Sequence, residues 1–357
     1  MRQGLRECAL RGCVLLGLWV ASVARAAGGS VQAEANVGGA QSAWTLLGDV
    51  ELRRDETFLA LGYAGARLSS DEALSHQVSV GVDHGLSEHW LVSGLLTGGL
   101  PKTTTTRLAR ARPALGLDAL DTLSGHGSLG IQLAASYDSA GFSDVEFGVD
   151  LGLGLTGYHL RRQLLTRDGR TDTGTLAAGQ DTLLQARPSV GARLMLYDAW
   201  ELGLRGSFSF YSEDPLTAGQ FSPEELEQAL RRYVGSAEAN AATRNFLRRR
   251  ALVLAGDLTG RLQGLNALSG FPSAPVLFDL KPSVTYRFSS RLRGQLSYTL
   301  TAYVPGQGFV QVLGTRWTVR VGKPWRLWAA VALQSDHPQG DKPQRSALLS
   351  LGSEYTF

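Results

Sequence analysis

Charged side chains at alternating positions are the residues of this chain best suited to act on a solute. The acidic ones fall in the first half of the sequence and the arginines in the second half. If the segments that carry them closed into a cylinder, acids would line one wall and arginines the opposite wall. Opposed charges across a narrow, low-dielectric space orient polar or zwitterionic solutes and filter ions. The candidates are Asp49, Glu51, Asp83, Glu146, Asp150, Arg193, Arg205, Arg287, Arg293, Arg316, Arg320 and Arg326.

These charges also have a simpler interpretation, a structural network that fills the enclosed space. Burying a charge without a partner is costly, so some pairing is expected in either case. The two interpretations differ in whether the lumen conducts or is closed. If it conducts, the larger number of arginines among the candidates predicts a mild preference for anions.

Sequence motifs that support enzymatic chemistry are absent. The chain has no phosphate-binding loop, no Gly-x-Ser-x-Gly elbow and no His-Glu-x-x-His pair. The six histidines lack paired metal-ligand spacing. His126 with Asp121 and Ser124 has the residue types of a hydrolytic site, but Gly125 and Gly127 beside it favour the start of a strand. We therefore predict no enzymatic activity, no metal and no cofactor.

The elements that would position the charges are segments in which apolar and polar residues alternate. From Val78 to Asp83, valines alternate with Ser79, Gly81 and Asp83. A period of two is typical of a strand with one apolar face, and about 9–11 residues cross a membrane at a tilt. The predicted strands are 31–38, 43–53, 56–66, 75–86, 89–98, 124–137, 143–159, 183–197, 200–212, 276–288, 291–304, 309–321, 325–334 and 345–357.

Connections between these strands alternate between short turns and long loops. Asp198-Ala199 is one short turn, and the predicted long loops are 100–123, 161–181, 213–275 and 335–344. An even number of strands with this alternation favours a transmembrane barrel over a soluble sheet. Trp90, Trp200 and Trp325 each lie near a short turn, which predicts an aromatic girdle at one lipid–water boundary.

The first 26 residues have the features of a secretory signal peptide. Basic residues precede an apolar run from Cys13 to Ala24, which at 12 residues is shorter than the ~20 needed to span a bilayer. Small residues at Ala24 and Ala26 predict cleavage before Ala27. Removal of residues 1–26 would also remove Cys8 and Cys13, the chain's two cysteines, and leave a formally neutral mature protein, which gives no support for nucleic-acid binding.

The last thirteen residues, Arg345 to Phe357, alternate in the same way and end on an aromatic residue. A terminal Phe357 with Tyr355 two positions earlier resembles the closing strand of Gram-negative outer-membrane β-barrel proteins of the porin or transporter type, with no specific subfamily indicated. The resemblance implies the cell outer membrane as location and Tyr355 and Phe357 as the signal for the β-barrel assembly machinery. It also implies contact with outer-membrane lipid and lipopolysaccharide.

Residues 213–275 predict an extracellular insert that is partly helical. Ser222-Pro223 followed by two glutamates is typical of a helix N-terminus, and a second helix is expected at about 237–250. The alternation in 251–263 suits a strand, an extended hairpin or a helix, and the sequence leaves these open. This insert would fold over or into the mouth of the barrel.

The sequence as a whole predicts an all-β, transmembrane, antiparallel up-and-down barrel of about 14 strands, with 12 or 16 as alternatives. Residues 27–357 would form this single domain. The function predicted first is passive passage of small polar solutes through a charged lumen. The alternative is a non-conducting barrel with a structural or surface-interaction role.

Overall fold

A computed structural model gives the fold, and it describes most of the chain beyond residue 27. The predicted signal peptide and its cleavage site lie outside the described residues. So does Phe357. The described ranges are 28–38, 43–54, 56–68, 75–110, 119–139, 145–168, 172–215, 275–306, 308–322, 324–340 and 342–356, with the single positions 218, 221, 224, 225 and 228.

The described residues form a single antiparallel β-sheet. The strands are β1 Gly28–Gly38, β2 Ala43–Arg54, β3 Thr57–Leu68, β4 Ser75–Gly85, β5 Trp90–Arg110, β6 Ala119–Asp138, β7 Val145–Asp168, β8 Asp172–Leu196, β9 Trp200–Phe208, β10 Phe210–Tyr211, β11 Val276–Arg287, β12 Leu292–Tyr303, β13 Phe309–Val321, β14 Trp325–His337 and β15 Gln344–Thr356. Segments β9 and β10 are two parts of one strand that is interrupted at Ser209. The sheet therefore has 14 strands, as the sequence predicts.

Pairing of the first and last strands closes this sheet into a barrel. Strand β1 pairs with β15 from Ser30 opposite Thr356 to Gly38 opposite Leu348. Every other strand pairs with its neighbours along the chain. Closure leaves no free sheet edge, which a backbone surrounded by lipid requires. The predicted antiparallel up-and-down barrel is confirmed.

The two ends of the barrel differ in their connections. All connections at the end where β1 begins and β15 finishes are short, such as the one between β8 and β9, whereas the longest connection, between β10 and β11, lies at the opposite end. In the turn between β8 and β9, Tyr197 and Asp198 both have positive φ, 52° and 56°, which is the tight hairpin geometry that matches strand twist. We call this the short-turn end and the opposite one the long-loop end.

The exterior of the barrel is apolar. On β7 the outward residues from Phe147 to Leu155 are large and exposed, with Leu151 at 57%, whereas the alternate positions are glycine or polar. These residues extend about 27 Å along the strand at ~3.4 Å per residue. At a tilt of about 40° they cover a height close to the apolar band of outer-membrane barrels. The exterior is therefore suited to lipid.

Four strands extend beyond this band, which makes two of the predicted loops wrong. Residues 100–123 and 161–181 were expected to be loops, but most of their described positions belong to strands β5 to β8. Past Leu155 the outward residues of β7 include the polar His159, Arg161 and Gln163. Because water can contact that face, its outward residues need not be apolar. The hydrogen-bonded strand therefore continues after the alternation of apolar and polar residues has ended.

A partly helical insert is not supported by the described residues. Among the described residues of 213–275, only Glu224, Glu225 and Gln228 are helical. Most of this range, including 237–250 and 251–263, lies outside the described residues. In the part of the chain that is described, no helix is long and apolar enough to cross a membrane.

A tryptophan on the inner wall is accommodated by a glycine on the next strand. Trp328 on β14 is 5% exposed, and it lies against Gly352 on β15, the residue opposite it. A Cβ atom at Gly352 would overlap the indole ring. The guanidinium of Arg316 stacks on the other side, 4.5 Å from the ring centroid.

Substitution Gly352→Ala should therefore destabilise the barrel, because Trp328 must leave its position. We expect a loss of about 1–3 kcal/mol in the free energy of unfolding, measured by urea titration of the refolded barrel. Gly314→Ala is the matched control, since the nearest atom to its new Cβ would be 3.6 Å away. Equal stability of the two variants would contradict this packing.

Candidate functional site

The strand register places all twelve predicted lumen residues at inward-facing positions. Arg193 is opposite Gly148, Arg287 is opposite Arg293, and Arg320 is opposite Arg326. For Asp49 and Glu51 only the backbone position is described. Whether these residues form a constriction for solutes stays a prediction.

The register also brings inward several charges that the sequence analysis missed. Most are acidic, so the inner wall no longer has the arginine excess from which an anion preference was predicted. The anion preference stays a prediction, but the count of inward charges no longer supports it. The additional inward residues whose side chains are described are Glu34, Asp138, Asp181, Glu201, Asp279, Asp336, Glu354, Arg162, Arg187 and Lys281.

Two of the ion pairs on the inner wall reach across an intervening strand. Arg193 on β8 pairs with Asp138 on β6, passing Gly148, whose missing side chain leaves the space. Arg187 on β8 pairs with Asp279 on β11. A third pair joins neighbouring strands, with Arg326 Nη1 3.3 Å from Glu354 Oε2. Part of the lumen charge is therefore structural.

Hydrogen bonds fill the interruption between β9 and β10. Tyr158 Oη donates to Gln185 Oε1 at 2.9 Å, and Gln185 Nε2 donates to Ser209 Oγ at 3.0 Å. Tyr211 Oη donates to the carbonyl of Val276 at 2.8 Å. This network fixes the inner wall where the backbone ladder is broken.

A cavity of about 590 Å³ lies in the lumen beside this wall. About half of its lining is polar, and it includes both signs of charge, which gives hydrogen-bonding groups to a small polar solute. The lining includes Gln132, Asp150, Gln185, Arg187, Arg205 and Asp279.

Two of the predicted arginines at the short-turn end lie half-way round the ring from one of the predicted acids. Arg287 and Arg293 face each other in direct register on β11 and β12, and neither is ion-paired among the described residues. Asp83 lies on β4, which is half-way round the ring from β12. Asp83 and these two arginines lie on opposite walls, whereas Glu201 on β9 and Glu354 on β15 lie on the arginine side. The opposition of acids and arginines across the lumen stays a prediction.

A short piece of the predicted insert contacts the inner wall at the long-loop end. The guanidinium of Arg162 on β7 lies 4.8 Å from the ring centroid of Phe221, and its Nη2 is 3.2 Å from Glu225 Oε2. Phe221 is 5% exposed and Leu164 is fully buried. Gly179, opposite Arg162, leaves room for the guanidinium. Phe221 and Glu225 are therefore held against β7.

The three predicted girdle tryptophans face outward at the short-turn end, and each packs on a tyrosine of the next strand. The ring centroids are 5.1 Å apart for Trp90 and Tyr137, 4.5 Å for Trp200 and Tyr286, and 4.9 Å for Trp325 and Tyr355. Their role at the lipid boundary stays a prediction, as does the assembly signal at Tyr355 and Phe357.

The His126 cluster does not assemble. His126 lies within β6 rather than at a strand start, and the register puts position 121 on the opposite face of that strand from 124 and 126. No group of three or more potential metal ligands occurs among the described residues.

The similarity of this chain to known proteins lies in structure and not in sequence. No family model matches the chain, and no curated protein matches it in sequence. Among solved structures, CdiB from Acinetobacter baumannii aligns at 10% identity and TM-score 0.45, over 93% of this chain and 60% of its own. A Pseudomonas aeruginosa FadL homologue aligns at 9% identity and TM-score 0.45, over 92% and 88%. The translocator domain of NalP from Neisseria meningitidis aligns at 11% identity and TM-score 0.39, over 98% and 97%.

The closed ring of 14 strands and its apolar exterior decide the fold. The fold is that of an outer-membrane β-barrel. The chain spans 60% of the length of CdiB, and likenesses of this degree give no basis for an activity. The function of this barrel is therefore argued from its own inner wall.

Substitution Arg162→Ala should release the contact between β7 and the insert, because both the ring contact and the ion pair are lost. We expect proteinase K to cut the reconstituted barrel within 213–275 several-fold faster. Arg161→Ala is the control, since Arg161 is exposed on the opposite face of β7. Equal cleavage rates in the two variants would contradict the contact.

Proposed function

We propose that this protein is an outer-membrane channel for the passive passage of small polar solutes. The observation that carries the proposal is an inner wall with charges of both signs, some paired and some open, inside an exterior of exposed aliphatic residues. Ion pairing in a purely structural network would be expected to be complete. Open guanidinium groups at Arg287 and Arg293 instead require water or solute around them.

The arrangement of the charges supports selection by a transverse field. Arginines of β11 to β14 and carboxylates such as Asp83 and Glu146 face each other across the short-turn end. A solute with separated charges or a large dipole would be oriented there, and small ions would be filtered. Selectivity would then depend on where the charges lie rather than on their sum.

A non-conducting barrel with a surface role is the second candidate. The contact of Phe221 and Glu225 with Arg162 favours it, since an insert held at the long-loop end could close the mouth. Insert residues would then be the surface that meets a partner. Conductance with and without the insert separates the two functions.

The remaining proposals concern assembly and surroundings. The chain would be exported with residues 1–26 removed and inserted by the β-barrel assembly machinery through Tyr355 and Phe357. Arginines of the long-loop end, such as Arg161, would bind lipopolysaccharide phosphates. Enzymatic activity, a cofactor and a nucleic-acid partner are not part of the proposal.

Purified protein in planar bilayers should give discrete conductance steps. Substitution of Arg293 and Arg320 by glutamate should shift the reversal potential in a salt gradient towards cation preference, because it removes the field at the short-turn end. Arg161→Glu, on the outer face, should leave it unchanged.

A wild-type protein without steps that conducts after deletion of 222–274 would identify the insert as a lid on a channel. Absence of steps in both forms would contradict the channel and favour the surface role.

A further inference from the structure

We propose that the middle of the lumen contains a binding site for zwitterionic solutes, such as free amino acids. Asp150 would bind the ammonium group, and Arg205 with Lys281 would bind the carboxylate. Gly191 supplies the space between them. This inference rests on the proposed channel and names the class of solute that it takes.

The four residues form one row across neighbouring strands. Asp150 on β7 is opposite Gly191 on β8, Gly191 is opposite Arg205 on β9, and Arg205 is opposite Lys281 on β11. Residues in direct register point to the same face, and this face lines the lumen. At ~4.8 Å between strands, the backbones of Asp150 and Arg205 are about 10 Å apart.

Glycine at position 191 leaves the gap between the charges open. A Cβ atom there would lie 3.1 Å from Asp150 Oδ2 and 3.3 Å from Asp150 Cβ, so the carboxylate of Asp150 already leans over the glycine. Asp150, Gly191 and Arg205 all line the cavity of about 590 Å³. A larger residue at 191 would occupy the space between carboxylate and guanidinium.

The charged residues of this row have no ion-pair partners, although charged residues in both adjacent rows are ion-paired. Towards the short-turn end Arg193 is paired with Asp138. On the other side Asp279 is paired with Arg187. Asp150, Arg205 and Lys281 have no ion pair among the described residues.

Two cations in direct register repel each other. Arg205 and Lys281 form such a pair, and like charges opposite one another destabilise a sheet. A carboxylate bound between them would relieve this repulsion, and a guanidinium binds carboxylate through two parallel hydrogen bonds. Asp150 across the gap then selects a solute that also carries a cation.

The class of solute follows from the two charged parts of the site, the carboxylate of Asp150 and the cations of Arg205 and Lys281. A simple anion satisfies only Arg205 and Lys281, a simple amine satisfies only Asp150, and a neutral polyol satisfies neither charge. An amino acid satisfies both at once. Ser136 and Ser189 beside the row add hydroxyl groups to the same cavity.

The test uses the full-length mature barrel in planar bilayers with alanine as the probe. Lactate, propylamine and glycerol serve as singly charged and neutral analogues of similar size. We expect alanine to interrupt the current at a concentration at least tenfold lower than any analogue. Asp150→Asn, Arg205→Gln and Gly191→Ala should each raise that concentration about tenfold.

Matched controls separate the site from the fold. Gly154→Ala changes another inward glycine whose new Cβ would have its nearest neighbour at 3.7 Å, and Glu34→Gln removes an inward acid on β1, outside the row. In both variants, alanine should interrupt the current at the same concentration as in the unchanged protein. Heat-dependent mobility on gels checks that every variant has folded.

Equal block by alanine and lactate, or block unaffected by the three substitutions, would overturn the site while leaving the channel intact. If the protein does not conduct, binding of alanine is measured instead by titration calorimetry, which tests the site without the channel. Binding that is lost in Asp150→Asn and Arg205→Gln would support the site and reject the channel, and no binding would reject both.

Discussion

Hydrogen bonding between the first and last strands is the constraint on which this structure depends. A backbone surrounded by lipid has no water to satisfy its polar groups, so each strand must pair on both sides. The ladder from Ser30 opposite Thr356 to Gly38 opposite Leu348 meets that demand. Once the ring is closed, the two-residue period of every strand divides its side chains between lipid and lumen, and the apolar exterior and charged interior follow.

Glycine determines how charges meet on the inner wall. Gly148 lets Arg193 reach across a strand to Asp138, Gly179 accommodates Arg162, and Gly191 separates Asp150 from Arg205. Pairs that are completed in this way make the wall rigid. Rows that stay open leave charges able to act on a solute, so one wall combines structural and selective roles.

The fold could be predicted from the sequence because lipid imposes a strict alternation on each strand, as in Val78 to Asp83. The strand ends at the long-loop side could not be predicted from the sequence. Beyond Leu155 the outer face of β7 lies outside the apolar band, so the alternation of apolar and polar residues no longer marks the strand. Arg187 shares the parity of Arg193, and Lys281 that of Arg287, so parity alone could have found them. The pairing of Arg187 with Asp279 could not be found, because it depends on the register between the strands, which the sequence does not give.

Labelling of single cysteines along β7 tests the central claim most directly. Each position from Glu146 to Leu155 would be changed to cysteine in the mature chain, which has no cysteine of its own once residues 1–26 are removed. The account predicts that in liposomes even-numbered positions react with a water-soluble maleimide, whereas odd-numbered positions carry fluorophores that a lipid-soluble quencher reaches. Reactivity without a two-residue period would contradict it, as would a chain that stays monomeric in buffer without detergent.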